Sequence, residues 1–177
     1  DEGLPAELLM FATYEFIKDV SEQMHAQERM IFANSALHRF AQCAAVLDLM
    51  GTETNWHYGG KWTPMRDADC NFKRALCYQR PYLLLQNTVF EDFPVEMVER
   101  YMKRAVFYGM MPSFFSHNAA DATYWTRPDI YNRDRHLFKQ YMPIAQTIAA
   151  AGWEPLTYAT TGNPRVYVER WGQGQNV

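Results

Sequence analysis

The sequence predicts an α/β protein built around a parallel sheet, and three observations support this fold class. Short apolar runs alternate with amphipathic segments along most of the chain, which is typical of consecutive βα units. The runs are almost continuously apolar, as expected for strands covered on both faces. Polar residues follow these runs repeatedly, at positions that correspond to the carboxyl ends of the strands.

The first part of the chain predicts one helix and two strands. Residues 13–27 have apolar side chains at helical spacing and charged side chains mostly on the other face. Residues 30–34 predict a short strand that ends in Asn34, and residues 44–50 predict the next strand, with Asp48 near its carboxyl end. Such short runs cannot be told from buried helix by periodicity alone. Their repetition after helices favours strands.

The rest of the chain continues the alternation. A helix is predicted from Asp67 or Asp69 to about Tyr78, followed by a strand over 81–87 that ends in Asn87. A helix over 95–104, a strand over 105–111 and a polar loop over 112–132 come next. The last helix, over 134–151, contains Pro143, which should bend it, and Gly152 is a natural stop. Two final strands, 154–160 and 165–171, predict a β-hairpin.

Composition narrows the classes of function. The 48% of hydrophobic residues and 21% of charged residues fit a folded globular protein. A net charge of −3 with no basic run argues against nucleic acid as a partner, and no apolar run approaches the length of a membrane span. No glycine-rich nucleotide loop occurs, so no cofactor is predicted. Cys43, Cys70 and Cys77 lack metal-type spacing and are expected to be buried free thiols.

Four stretches of the chain share the pattern of one class of enzyme. They are residues 29–35 (RMIFANS), 46–53 (VLDLMGTE), 80–87 (RPYLLLQN), and 138–144 (FKQYMPI) continuing into 151–155 (AGWEP). Together they resemble the C-terminal half of a (β/α)8-barrel glycoside hydrolase, whose last barrel helix runs through a Tyr-x-Pro stretch and a similar turn into a β-sandwich. The resemblance implies that residues 1–152 form a partial TIM barrel of about four βα units and that residues 153–177 begin a β-sandwich domain.

The resemblance also implies a location for the chemistry. Glycoside cleavage uses two carboxylates held roughly 5–10 Å apart. In α-glucosidase-like and α-galactosidase-like barrels the nucleophile lies on the fourth strand and the acid on or after the sixth, which here would be the strand ending in Asp48, with Glu53 in the following loop. Asp48 and Glu53 are therefore the catalytic candidates. The fourth strand would precede residue 1, and the chain alone would then lack a catalytic partner.

Six further residues are candidate ligands for a sugar: Asn34, Trp56, His57, Asn87, Tyr124 and Trp125. Asparagine side chains bind sugar hydroxyls, but they also cap βα turns. Aromatic rings stack on sugars, but they also pack long loops onto a barrel. The two carboxylates also have structural interpretations. Asp48 can accept hydrogen bonds from neighbouring backbone or pair with an arginine, and Glu53 can be a solvated loop residue.

Other charged residues have structural interpretations. Arg127, Arg133 and Arg135 are expected to pair with Asp129 and Asp134 at the start of the last helix. His38 and His57 have no partner at a fixed spacing, so no metal site is predicted.

Two hypotheses about function remain at the level of the sequence. The first is a glycoside hydrolase-like protein that acts on or binds glycosides at the carboxyl ends of its barrel strands. The alternative is a non-catalytic carbohydrate-binding or structural barrel domain. In both, the partner is a carbohydrate, and open barrel edges predict self-association. The sequence does not indicate a cellular compartment.

Overall fold

The computed structural model describes residues 8–35, 40–116 and 123–174, and it confirms the predicted order of helices and strands, with one short hairpin added. The helices are α1 (Leu9–His25), α2 (Asp67–Cys77), α3 (Val95–Phe107) and α4 (Pro128–Ala151). The strands are β1 (Phe32–Asn34), β2 (Leu49–Thr54), β3 (His57–Tyr58), β4 (Lys61–Trp62), β5 (Tyr82–Thr88), β6 (Met110–Ser116), β7 (Trp153–Glu154) and β8 (Arg170–Trp171).

Four of the strands form one parallel sheet in the order β1-β2-β5-β6. Spatial order follows chain order without reversal, and every strand of this sheet ends at the same edge, which we call the carboxyl edge. The prediction of an α/β protein with a parallel sheet is therefore confirmed.

One face of this sheet packs against helices and forms the core. Every second side chain of β5 is buried there, and β2 and β6 contribute Met50 and Phe114. These side chains join the buried residues of α3 and α4 in one cluster, which includes Val98, Tyr101, Met102, Leu137 and Tyr141. The hydroxyl of Tyr101 reaches the backbone of both β5 and β6, because it contacts the oxygen of Leu84 and accepts a hydrogen bond from the nitrogen of Ser113 at 3.0 Å.

The opposite face, which we call the open face, keeps most of its side chains partly exposed. The register of the strands places on it Phe32, Leu49, Leu83, Leu85, Met111, Ser113 and Phe115, together with Asn34, Glu53 and Asn87 nearer the carboxyl edge. The expectation that the strands are covered on both faces is thus met on one face only within the described residues. Parallel sheets are normally covered on both.

Gly51 allows the two central strands to approach closely on the open face. A Cβ atom at this position would lie 2.6 Å from the backbone oxygen of Leu83 and 3.2 Å from the ring of Phe32. Both distances are shorter than van der Waals contact, so only glycine fits without displacement.

Two predicted strands are placed wrongly along the chain. Residues Ala41–Ala45 form a 3-10 helix, and the strand predicted at 44–50 instead begins at Leu49. It extends to Thr54 because β-branched threonines favour extended backbone even where the apolar run has ended. The strand predicted at 105–111 begins at Met110, since Gly109, with φ of 68°, ends α3 in a left-handed conformation.

The predicted C-terminal hairpin forms only at its base. Trp153 pairs with Trp171 and Glu154 with Arg170 in antiparallel fashion, and most of the residues between these two short strands are exposed. A separate β-sandwich domain after residue 152 remains a prediction.

A buried arginine ties this C-terminal segment to the helical layer. Arg74 of α2 is 6% exposed and donates a hydrogen bond to Glu169 at 3.0 Å, while its guanidinium group lies 4.2 Å from the centre of the Trp153 ring. The indole nitrogen of Trp153 donates to the other oxygen of Glu169 at 3.1 Å. We call these three residues the tail clamp. It lies at the end of the strands opposite the carboxyl edge, next to Gly109, which the Trp171 ring covers.

Candidate functional site at the carboxyl edge

Glu53 lies at the carboxyl edge between two asparagines. Its Oε1 atom accepts a hydrogen bond from Nδ2 of Asn34 at 2.9 Å, and its Oε2 atom accepts one from Nδ2 of Asn87 at 3.1 Å. Asn34 is opposite Gly51 and Glu53 is opposite Leu85, so the three polar side chains stand on the open face of three adjacent strands. The structure therefore brings together three residues that the sequence suggested separately.

This cluster offers several hydrogen-bonding groups within a small area. Each oxygen of Glu53 accepts one amide hydrogen bond, which fixes the plane of the carboxyl group and leaves each oxygen a further lone pair. The Oδ1 atom of Asn34 accepts a hydrogen bond from Ser35 at 3.2 Å. The Oδ1 atom of Asn87 is buried and accepts no hydrogen bond from the part of the chain that the structure describes. A buried acceptor without a partner is unfavourable.

A separate cleft of about 420 Å³ lies at the carboxyl ends of β2 and β5, and Asn34, Glu53 and Asn87 are not among its lining residues. His57 lines it, together with Asn55, Tyr58, Gly59, Gly60, Thr88, Val89 and Asp92. The Oδ1 atom of Asn55 accepts hydrogen bonds from the backbone nitrogen of His57 at 3.2 Å and from Gln86 at 3.4 Å. Within the described residues, His57 Nδ1 and Gln86 Oε1 are buried and have no hydrogen-bond partner. The volume is in the range of small-ligand sites, roughly 300–1,000 Å³.

The structure corrects the position of Asp48. This residue precedes β2 and therefore lies at the amino end of the strand, not at its carboxyl end. Asp48 is five positions before Glu53, about 16 Å along the strand at roughly 3.3 Å per residue, which exceeds the separation of paired glycosidase carboxylates. The Oδ2 atom of Asp48 accepts hydrogen bonds from the backbone nitrogen of Ile31 and from Nε2 of His25, both at 2.8 Å. Asp48 therefore has a structural role, because its hydrogen bonds connect the start of β2 to α1 and to the residue that precedes β1.

A pH-dependent stability test follows from these contacts. The hydrogen bond from the backbone of Ile31, and then that from His25, hold the pKa of Asp48 below its ordinary value. Because the folded pKa is the lower one, the stabilisation is present above the unfolded value of about 3.9 and is lost as the pH falls through the folded pKa. We expect Asp48→Asn to lower the free energy of unfolding by about 1 kcal/mol at pH 7. In urea titrations this difference should narrow below about pH 4, and a constant difference would contradict it.

The predicted aromatic ligands divide into buried and exposed rings. Trp56 is 1% exposed and packs edge-on against Trp62 and Tyr101. Tyr124 is 0% exposed, stacks on Phe114 at 4.6 Å and so belongs to the core as well. Trp125 is 55% exposed. Of the aromatic side chains proposed to bind sugar, only Trp125 therefore presents a large surface to solvent.

Sequence reasoning did not select Asn55, Gln86 or Asp92, although all three belong to the cleft or its hydrogen bonds. Gln86 precedes Asn87 at the end of an apolar run, and this position was a usable signal. Asp92 lies just before the helix predicted over 95–104, a position that gives no such signal. In the structure it belongs to a 3-10 turn, Phe90–Asp92, that precedes α3.

Three further features of the described residues bear on predictions made from the sequence. The three cysteines are buried free thiols, as predicted, and burial raises the pKa of Cys70 to about 11 and that of Cys77 to about 12. Residues 8–35, 40–116 and 123–174 contain no group of three or more His, Cys, Asp or Glu side chains that could hold a metal ion. None of the helices in these ranges is long and apolar enough to cross a membrane. His38 lies outside this part of the chain.

Comparison with protein-family models, with curated proteins and with solved structures finds no match for this chain. The candidate site is therefore defined by its geometry alone.

Proposed function

We propose that the chain is part of a (β/α)8-barrel protein of the glycoside hydrolase type, which binds a glycoside at the carboxyl edge of its sheet. The observation that carries this proposal is the Glu53 carboxyl group held between the side-chain amides of Asn34 and Asn87. A carboxylate flanked by carboxamides matches the many donors and acceptors of a sugar ring.

The shape of the sheet supports the barrel. Its four parallel strands follow chain order, as they do around a barrel, whereas a doubly wound sheet reverses its order. Helices pack on one face, and partly exposed apolar side chains occupy the other. In a closed barrel that second face would be the filled interior. Enzymes with this fold place their sites at the carboxyl ends of the strands, where Glu53 lies.

Each residue then has a distinct role. Glu53 contacts the sugar and, with a second carboxylate, acts as the acid in glycosidic cleavage, which is the role that the resemblance implies for the sixth strand. Asn34 and Asn87 position its carboxyl group. His57 lines the separate cleft at the ends of β2 and β5, where a second sugar unit would bind.

One observation favours the non-catalytic alternative. Glu53 is the single carboxylate on the open face of β1, β2, β5 and β6 as the structure describes them, because Asp48 is displaced to the other end of β2. A barrel that only binds carbohydrate needs no pair of carboxylates. Glu53 with its two asparagines is therefore sufficient for binding, without a second carboxylate.

Titration of the chain with a panel of aryl glycosides tests the proposal, with binding followed by NMR and hydrolysis by release of the aryl group. We expect Glu53→Gln and Asn87→Ala each to weaken binding by about tenfold, because each removes or misplaces a polar contact worth about 1.4 kcal/mol. If hydrolysis occurs, Glu53→Gln should slow it by about a hundredfold or more.

Glu15→Gln is the matched control, since Glu15 is an exposed residue of α1 and the substitution removes the same charge. Binding without hydrolysis would select the non-catalytic alternative. Failure of every glycoside to bind, or equal binding by the wild type and the two variants, would show that the carboxyl edge is not a sugar site.

A further inference from the structure

The exposed side chain of Trp125 belongs to a second surface, outside the carboxyl-edge cluster. It borders a groove of about 380 Å³ whose other lining residues are Tyr131, Arg135 and Phe138. These three residues are spaced at i, i+4 and i+7 along α4, so they share one face of that helix. We call this surface the aromatic groove.

The ring of Trp125 is held in place by its neighbours although half of it faces solvent. It meets the Tyr124 ring edge-on at 4.9 Å and the Phe138 ring at 5.2 Å. Tyr124 is itself fixed, because its hydroxyl donates to Asp134 at 3.0 Å. An exposed indole that is already immobilised loses little conformational entropy when a ligand stacks on it.

The charge of the groove comes from an arginine without a carboxylate partner. Arg127 pairs with Asp129 and Glu91, and Arg133 pairs with Asp134, as the sequence predicted for the two aspartates. Arg135 was expected to join them, but it makes no ion pair within the described residues and stands 5.9 Å from the Tyr131 ring. A guanidinium group left free beside an apolar surface is suited to a carboxylate, which it can bind through two parallel hydrogen bonds.

We propose that the aromatic groove binds the uronic acid unit of an acidic carbohydrate. The C–H face of the sugar ring stacks on Trp125, and the carboxylate of the same ring pairs with Arg135. A neutral sugar would leave the arginine unused, and an anion without a ring would leave the indole uncovered. This site is additional to the carboxyl edge. The inference rests on the proposed function only for the choice of a carbohydrate as the ligand.

Titration of the chain with a galacturonic acid trisaccharide tests this site, with affinity measured by calorimetry for every variant and the indole N–H signal of Trp125 followed by NMR wherever Trp125 is kept. The fully methyl-esterified trisaccharide is the matched ligand, because it keeps the rings and lacks the charges. We expect the acid to bind about tenfold more tightly than the ester, and this difference to shrink as salt is raised, since exposed ion pairs are screened.

Variants separate the two contacts. Trp125→Ala and Arg135→Gln should each weaken binding of the acid by about tenfold, and Arg135→Lys should weaken it less, since lysine keeps the charge without the planar fork. Phe72→Ala is the control for the indole, because Phe72 is 54% exposed and lies on α2. Arg165→Gln is the control for the charge, and neither control should change binding.

Glu53→Gln distinguishes this site from the carboxyl edge, because it should leave unchanged the affinity that the indole N–H signal of Trp125 reports. A loss of binding in Glu53→Gln with no effect of Trp125→Ala would place the sugar at the carboxyl edge and overturn the inference. Equal affinity for acid and ester, no binding of either, or tighter binding of penta-glutamate than of the trisaccharide would overturn it too. Arg135→Gln alters only an exposed side chain and should not affect folding. Its effect on binding therefore tests the inference even if Trp125→Ala folds poorly.

Discussion

Gly51→Ala is expected to lower the free energy of unfolding by about 3 kcal/mol, the upper part of the range for overpacked sites. The added methyl group would lie 2.6 Å from the backbone oxygen of Leu83. That oxygen belongs to β5, whose neighbours on both sides hold it in the sheet, so relief requires a shift of the β2–β5 ladder. Urea unfolding of the variant and the wild type measures the difference.

Gly162→Ala is the control for this substitution. No atom approaches within 4 Å of a Cβ built at Gly162, and its φ lies outside the left-handed region. We expect an effect within about 0.5 kcal/mol, because only the entropy of the unfolded chain changes. If the two variants unfold at the same urea concentration, the close approach at Gly51 is not a constraint. Because Glu53 follows two residues later on the same face, Gly51→Ala should also displace the candidate site.

Asp134→Ala is expected to lower the free energy of unfolding by about 3 kcal/mol, as in other buried ion pairs that lose one partner. Asp134 is 0% exposed and accepts two hydrogen bonds from Arg133, at 2.7 and 2.8 Å, and one from the hydroxyl of Tyr124. Removing the carboxylate leaves a partly buried guanidinium group and a buried hydroxyl without their partner. Thermal or urea unfolding gives the magnitude.

Asp129→Ala provides the matched comparison. Asp129 also pairs with an arginine, Arg127, at 2.8 Å, but its side chain is 60% exposed. An exposed pair of this kind contributes less than about 1 kcal/mol, so the two substitutions should differ severalfold in effect. Equal effects would mean that burial is not what makes the Asp134 contacts strong.

The sequence was most informative where an apolar run and its flanking residues agreed. The run at 81–87 became β5 at Tyr82–Thr88, and the helix predicted from Asp67 became α2. The sequence was least informative at residues 44–50, because the apolar run begins in a 3-10 helix and the strand that follows it ends in the polar residues 52–54. Periodicity reports which side chains are buried, and it does not report which backbone hydrogen bonds they make.

Some residues of the candidate site could be predicted from the sequence and others could not. Asn34, Glu53 and Asn87 could be predicted because polar residues at the ends of adjacent parallel strands meet at one edge. Asp48 could not be placed, since an error of a few residues in the bounds of a strand transfers a side chain from one edge of the sheet to the other. The burial of Trp56 and Tyr124 depends on which rings surround them, and those contacts come from distant parts of the chain.

The tail clamp also sets an order of assembly for the molecule. Each strand of the parallel sheet pairs with the strand of that sheet before it in the chain, so the sheet grows by closing short loops. Arg74 and Glu169 are 95 residues apart, and their contact must close a much longer loop. We therefore expect Arg74 to become buried late, after the contacts that close shorter loops have formed. We also expect the C-terminal segment to open at a lower free energy than the strands of the sheet, which amide hydrogen exchange would measure.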